Sequence, residues 1–241
     1  MPVAKYPLLG NNIISMQTSE AFLLRKIEYS EADYIVSLFT RDFGKIKGLA
    51  KNARKSRKRF GGRLEPFVHF RVRFRERQAG LKFIEDCETM QVFSIFREDV
   101  ELFMWGSFIV ENIEILIPEE EPNIHLFDLL VRTFSELQSR DPLPVILNFQ
   151  ISALSLCGYK PNLDTCAECG KLLEDGFFSI NKGAVICKGC KKDKSNGLVM
   201  SKNFPPDGES AFNRIQILSK FTEYHTGKEI KSCKFIQEIT R

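Results

Sequence analysis

The first part of the chain shows short segments in which apolar and polar positions alternate. The clearest is residues 67–75, where apolar residues occupy every second position: Val68, Phe70, Val72 and Phe74. A period of two predicts a β-strand with one buried face. Comparable short segments lie at residues 21–27, 34–40, 45–50 and 81–85, separated by turn signals. Five short strands this close together predict a small closed barrel.

After Phe93 the apolar residues recur every three or four positions, a spacing typical of helices. The pattern predicts helices over about residues 100–117, 126–138, 145–157, 209–224 and 229–239. Strands followed by helices predict an α+β multidomain fold whose N-terminal barrel is a five-stranded oligonucleotide-binding (OB) fold. The predicted units are a leader at 1–16, the OB fold at 17–95, an α-helical C-terminal domain at 96–160 and 195–241, and an inserted segment at 161–194.

The insert holds four of the seven cysteines, as the tight pairs Cys166 with Cys169 and Cys187 with Cys190. The pairs are 17 residues apart, a spacing typical of a tetrahedral all-cysteine zinc site. A catalytic zinc needs an open position, and no histidine lies near the pairs. We therefore expect one structural zinc ion in a four-cysteine zinc ribbon. Bare thiols and a redox pair are the alternatives.

Lysines around the cysteine pairs are expected to offset the net charge of −2 that four thiolates and one zinc ion carry together. They are Lys171, Lys182, Lys188, Lys191, Lys192 and Lys194. Contact with a phosphate backbone is a second role open to them.

Charge is segregated along the chain, although the net charge is only +4. Residues 41–63 contain ten Lys or Arg and one acid, whereas residues 98–121 contain eight acids and no Lys or Arg. A polyanion is attracted to the first region and repelled by the second. We interpret the acidic, Phe-rich stretch at residues 103–121 as a core helix with a solvated rim, with an interaction face as the alternative.

The densest basic part, residues 51–63, lies between two predicted strands, so we expect an exposed loop. A charge run of this kind is either a solvated flexible loop or a nucleic-acid-binding segment, and its density favours nucleic acid. Arg71 and Arg73 of the following strand extend the same surface. Phe67 and His69 share their side of the strand. These two rings either stack on bases or, for Phe67, cover an edge of the barrel.

Several protein classes fit the sequence poorly. No stretch approaches the ~18 to 20 uncharged apolar residues that span a bilayer. An odd number of cysteines in a chain without a secretory start indicates the cytoplasm. Neither a phosphate-cradling loop nor a His-x-Glu motif beside a cysteine pair is present. We expect a protein that is not an enzyme; a zinc-assisted nuclease or deaminase is the enzymatic alternative.

A series of short motifs runs along the chain in a characteristic order and spacing: Ala21-Phe22-Leu23-Leu24-Arg25, Tyr29-Ser30-Glu31-Ala32-Asp33, Leu38-Phe39-Thr40, Gly44-Lys45, Ala50-Lys51-Asn52-Ala53-Arg54, Gly61-Gly62-Arg63-Leu64-Glu65-Pro66-Phe67, Cys157-Gly158-Tyr159-Lys160-Pro161, and the tail from Tyr224-His225 to Lys231-Ser232. In the order and spacing of these motifs the chain resembles the bacterial RecO family of DNA repair and recombination mediators. The resemblance covers most of residues 17–240. The first 15 residues precede the usual family start, so either Met1 or Met16 is the native initiator.

The resemblance implies an OB barrel, a helical domain and a zinc ribbon, in agreement with the residue patterns. It implies binding of single- and double-stranded DNA, annealing of complementary strands and help in loading recombinase onto DNA coated with single-strand binding protein (SSB). The implied partners are RecR, the SSB tail and, indirectly, RecA, with a location at the nucleoid. The implied DNA contacts are Arg25, Lys51, Arg54, Lys55, Arg57, Lys58, Arg59 and Arg63. A zinc-ribbon protein that binds RNA or acts in transcription is the alternative.

Overall fold

The computed structural model describes residues 16–76, 81–173, 175–191, 198–201 and 208–239. The predicted leader lies outside this part of the chain except for Met16, the first residue of a strand. The predicted turn at residues 78–80 and two of the lysines expected near the zinc, Lys192 and Lys194, also lie outside it.

Five strands close into an N-terminal barrel with strand order β1-β2-β3-β5-β4. They are β1 (Met16–Glu28), β2 (Tyr34–Thr40), β3 (Gly44–Ala50), β4 (Val68–Arg75) and β5 (Lys82–Val92). All neighbours are antiparallel except β3 and β5, which are parallel. A short helix, α1 (Arg57–Phe60), lies between β3 and β4. This arrangement fits the predicted OB fold.

Two of the strands are longer than predicted, for a reason that the residue pattern does not contain. The first half of β1 pairs with β4 and its second half with β2. The exposed end of β5, through Val92, stays in the sheet because it pairs with the start of β4. β1 extends because a second partner strand follows the first, and β5 extends because β4 pairs with it along nearly its whole length.

Helices form most of the remaining chain: α2 (Ile95–Glu98), α3 (Val100–Leu116), α4 (Ile124–Glu136), α5 (Pro142–Leu156), α6 (Gly208–Thr226) and α7 (Lys231–Ile239). Short polar residues begin three of them: the side chains of Asp99, Asn123 and Asp141 accept hydrogen bonds from N–H groups of the first turn. α5 packs on α3, α4 and α6, and α3 also contacts α7. The predicted helices are therefore confirmed, with shifts of a few residues at their ends.

Two hydrophobic cores organise the structure. One fills the barrel with alternate residues of its strands, including Leu38, Phe70 and Phe74. The other joins the outer wall of the barrel, through residues such as Phe22 and Phe39, to the helices. It also includes Phe178 of the cysteine-containing unit. Much of the wall that faces the helices is consequently unavailable to ligands.

The cysteine-containing unit is built on a three-stranded sheet of order β7-β6-β8. Its strands are β6 (Asp175–Ser179), β7 (Ala184–Ile186) and β8 (Leu198–Ser201). β6 and β7 pair as an antiparallel hairpin between the two cysteine pairs. β8 pairs with β6 although it follows residue 194, where the predicted insert ends. This strand was not predicted, because a four-residue segment has too short a pattern to identify.

No helix in the described part of the chain combines the length and the apolar character that crossing a bilayer requires.

Candidate nucleic-acid interface and metal centre

The outer surface of β1, β2 and β3 is an open face of the barrel. Arg25, Ser37 and Lys47 are aligned across the three strands. A second row, formed by Ile27, Ile35 and Leu49, lies beside them. Arg25, Ile27 and Lys47 are exposed, and the OB fold commonly binds oligonucleotides on the face that includes strands 2 and 3. The sequence prediction included Arg25 but not Lys47, although the lysines at alternate positions 45, 47 and 51 are a signal that could have located it.

The predicted basic loop, residues 51–63, is an ordered segment anchored to the barrel, contrary to the expectation that none of it is buried. Ala53 and Phe60, with the following Leu64, are buried in the barrel core. Ser56 caps α1 by accepting a hydrogen bond from the N–H of Arg59. The apolar residues among the charges, Ala53 and Phe60, anchor this segment in the barrel core. The backbone that carries the cationic side chains is therefore held in place.

The predicted DNA contacts of this segment, taken together with Arg25 of β1, fall into two groups. Arg54 pairs with Glu28 at 3.2 Å. Arg59 donates to the carbonyl of Lys51 at 2.9 Å, and Arg63 donates to that of Lys58 at 2.8 Å. These arginines therefore brace the segment. By contrast, an exposed group has no carboxylate partner in the described structure: Arg25, Lys51, Lys55, Arg57 and Lys58.

The arginines of β4, unlike this exposed group, have carboxylate partners. Arg71 pairs with Glu88 of β5 at 3.2 Å, and Arg73 forms a two-pronged ion pair with Asp86. Hydrogen bonds from Arg73 hold the pKa of Asp86 below its usual value. Their contact with DNA stays a prediction, and a phosphate would have to compete with these carboxylates.

The structure contradicts base stacking by Phe67 and His69. Phe67 is 3% exposed and packs on Phe96 of α2, with ring centroids 4.8 Å apart. His69 is 6% exposed, stacks on Phe22 and has its Nε2 3.0 Å from Glu20. Burial holds the pKa of His69 below its usual value. The side of β4 that looked like a stacking surface is covered by helices at this end, so the alternative that Phe67 covers an edge of the barrel is confirmed.

The four paired cysteines meet at one point. The Sγ atoms of Cys166, Cys169, Cys187 and Cys190 all lie within 4.8 Å of one another. Cys169 and Cys187 have their sulfurs 4.0 Å apart, close to the ~3.8 Å that follows from a tetrahedron with Zn–S bonds of about 2.3 Å. All-sulfur ligation of this geometry is the donor set that zinc prefers. The cluster therefore fits a four-coordinate metal ion.

Backbone groups shape the cluster for thiolates. The N–H groups of Cys187 and Glu168 both point to the Cys166 sulfur at 3.4 Å. Hydrogen bonding from Cys187 leads the contributions that lower the pKa of Cys166 to about 6. Hydrogen bonding with Cys187 and Cys169 raises the pKa of Cys190 to about 12. A bound dication would favour the thiolate form of all four cysteines.

Two of the lysines expected to compensate the cluster have other contacts. Lys182 pairs with Glu168, between the two residues of the first cysteine pair. The ammonium of Lys191 lies 3.6 Å from the centre of the Phe177 ring. These contacts tie the cysteine turns to the hairpin.

Comparison with known proteins agrees with this architecture. The family model described as recombination protein O N terminal matches residues 15–93, and the model described as recombination protein O C terminal matches residues 97–204. A DNA repair protein RecO of Desulfatibacillum aliphaticivorans is 32% identical, over 93% of this chain and 97% of its own length. Proteins of the same name from Syntrophus aciditrophicus and Anaeromyxobacter dehalogenans (strain 2CP-C) are each 30% identical, over 95% and 90% of this chain and 98% and 94% of their own lengths. The chain therefore belongs to the RecO family, and its role lies in DNA repair and recombination.

Proposed function

We propose that this chain is a recombination mediator that binds single- and double-stranded DNA, anneals complementary strands and helps load recombinase onto SSB-coated single strands. The observation that carries the proposal is the group of unpaired cations on an anchored support beside the open barrel face. We name this group, Lys51, Lys55, Arg57 and Lys58, the basic cluster.

The cations of the basic cluster support DNA binding because they have no carboxylate partner in the described structure. Each phosphate that a cation neutralises releases condensed counterions, and this release drives non-specific association. A lysine already paired with a carboxylate contributes less free energy to DNA binding, because the existing pair must first be broken. Arg25 lies on the neighbouring open face, where Ile27 and Ile35 offer apolar contact to bases. A single strand could therefore place its phosphates on the basic cluster and its bases on the open face.

Annealing fits a binding surface that is cationic and lacks base-reading features. Two complementary strands repel each other, and cations on a common surface reduce that repulsion without reference to sequence. The chemistry required is binding rather than bond breaking. We further propose RecR and the acidic SSB tail as direct partners, RecA as an indirect one, and a cytoplasmic location at the nucleoid.

The experiment that tests the function is annealing of complementary single strands precoated with SSB, without ATP, across a salt series. We expect faster annealing that declines steeply as salt rises, since counterion release weakens with salt. Absence of acceleration by a folded, metal-loaded protein would contradict the mediator function. A preference for structured RNA over single-stranded DNA in the same assay would favour an RNA-binding function instead.

We also propose that the cysteine cluster holds one structural zinc ion. Its support is the four-sulfur geometry and the small size of the sheet around it, because small units of this kind gain their folding free energy from metal. We expect about one zinc per chain by elemental analysis. Cys166→Ser should lose both metal and soluble protein, while Cys157→Ser, outside the cluster, should keep the metal. A well-folded, zinc-free Cys166→Ser protein would refute the structural role.

A further inference from the structure

The segment that joins α3 to α4 contains the run Glu119, Glu120 and Glu121, which we call the acidic linker. It lies against the barrel at the start of β3. The N–H of Glu120 donates to the carbonyl of Lys45 at 2.9 Å. A Cβ added at Gly44 would lie 2.2 Å from the carbonyl oxygen of Glu121. The backbone of the acidic linker is therefore packed closely onto the barrel, as only glycine at position 44 allows.

Two carboxylates of the acidic linker meet lysines of the barrel. Glu119 pairs with Lys47 of β3, and Glu120 pairs with Lys82 of β5 at 2.8 Å. The side chains of Glu119 and Glu120 are 53% and 58% exposed. Water and solutes can therefore reach both carboxylates while the linker backbone stays in place.

Lys82 remains charged in this arrangement. Burial acts to lower the pKa of Lys82, but hydrogen bonds from its ammonium to Glu120 and Glu76 outweigh burial and raise that pKa. In the parallel pairing of β3 and β5, Lys82 is the partner of Gly48, the residue after Lys47. Each lysine thus has an exposed carboxylate of the acidic linker as a partner, and Lys82 has Glu76 as a second one.

This corner continues the surface assigned above to DNA. Lys47 belongs to the open-face row with Arg25 and Ser37. It also lies four residues before Lys51 of the basic cluster, or about 14 Å along an extended strand. A nucleic acid that follows β3 away from the basic cluster would reach Lys47 and meet Glu119 there.

We propose that Lys47 and Lys82 form a second phosphate-binding site for single-stranded DNA, kept closed by the Glu119 and Glu120 carboxylates, which occupy the positions of the phosphates. The proposal extends the proposed DNA-binding function and depends on it. A bound strand opens the site by exchanging its phosphates for the two carboxylates. Because the linker backbone does not need to move, the exchange involves side chains alone. The closed site limits how far a strand extends along β3.

The test is binding of a fluorescent oligonucleotide across a salt series, with Glu119→Gln and Glu120→Gln combined. Gln keeps the side-chain shape and removes the charge, so Lys47 loses its carboxylate partner, while Lys82 keeps Glu76. Release of Lys47 steepens the slope of log affinity against log salt by about 0.7, and a phosphate that also displaces Glu76 from Lys82 brings the increase to about 1.4, at about 0.7 per phosphate of a single strand. The same relation gives a gain of at most about 25-fold at 0.1 M salt. Adding Lys47→Ala to the double variant should remove about 0.7 of the extra slope.

The matched control combines Glu98→Gln and Glu121→Gln. It changes the net charge equally, at exposed residues whose side chains have no cation partner in the described structure. Its salt slope should equal that of the unmodified protein. Equal slopes for both double variants would overturn the proposal, since a general charge effect would then explain any gain. If the unmodified protein binds no DNA, the proposed function fails instead. Should the double variant not fold, Glu119→Gln alone must steepen the slope by about 0.7.

Discussion

The basic cluster and the arginine row of β4 contrast two ways in which a protein uses positive charge. Both look cationic in the sequence, and their residues lie within about 25 positions of one another. In the folded chain, Arg71 and Arg73 face Glu88 and Asp86 across the sheet. The basic cluster faces solvent. The strand pairing of β4 and β5 places each arginine opposite an acid, whereas the four residues of the basic cluster belong to no strand and have no carboxylate partner in the described part of the chain.

The difference teaches that the number of cations in a segment does not measure its affinity for a polyanion. Cross-strand ion pairs stabilise a sheet by only a few tenths of a kcal/mol to about 1 kcal/mol. They nevertheless remove much of the local potential, because the acid lies a few ångströms from the base. The relevant quantity is the number of cations without a partner.

The largest effect should come from changing Lys51, Lys55, Arg57 and Lys58 together to Ala. Loss of four phosphate contacts should lower affinity for single-stranded DNA by up to about 600-fold at 0.1 M salt and flatten the salt slope by about 2.8. Fluorescence anisotropy across a salt series measures both. The control changes four exposed cations of the helical region, Arg97, Arg132, Lys160 and Lys220, to Ala. An unchanged salt slope in the first variant would contradict the assignment of the basic cluster as the main contact.

A smaller effect on binding, with a large effect on stability, is expected for Phe60→Ala. Phe60 is 3% exposed and anchors α1 in the barrel core. Its removal should lower the free energy of unfolding by about 3 kcal/mol, since a large core side chain is lost. DNA affinity measured on the folded protein should fall by less than about tenfold, because the charges remain while their positions become less fixed. Chemical denaturation and anisotropy separate the two quantities. Full affinity with the expected loss of stability would show that anchoring is unimportant for binding.

The smallest effect should follow from Arg71→Ala combined with Arg73→Ala. Both arginines already have carboxylate partners, so we expect DNA affinity within about twofold of the unmodified protein and a salt slope within about 0.3. Stability should change by no more than about 1 kcal/mol per exposed pair. A slope reduced by about 1.4, the value for two lost contacts, would remove the distinction between the two regions. It would also return Arg71 and Arg73 to the DNA path.

Much of the candidate site could be predicted from local sequence. The errors of that prediction have one cause, which is that local sequence does not show contacts between distant residues. The alternation at residues 67–75 correctly indicated that Val68, Phe70, Val72 and Phe74 fill the barrel. It could not distinguish a strand face covered by helices from one open to solvent, so it left open the base stacking by Phe67 and His69 that their burial contradicts. Similarly, no local pattern pairs Lys47 with Glu119, because residues 72 positions apart meet only after α3 returns the chain to the barrel.

The sequence by itself determined most of the strands and helices, the four-cysteine cluster and the basic segment, because each depends on short-range periodicity or fixed spacing. Tertiary structure alone decided which cations are available, which aromatic rings are buried and where the acidic linker lies. These properties depend on contacts between residues distant in the chain. The distances of a few ångströms that set an electrostatic interaction arise only when the barrel, the helices and the cysteine unit have packed together.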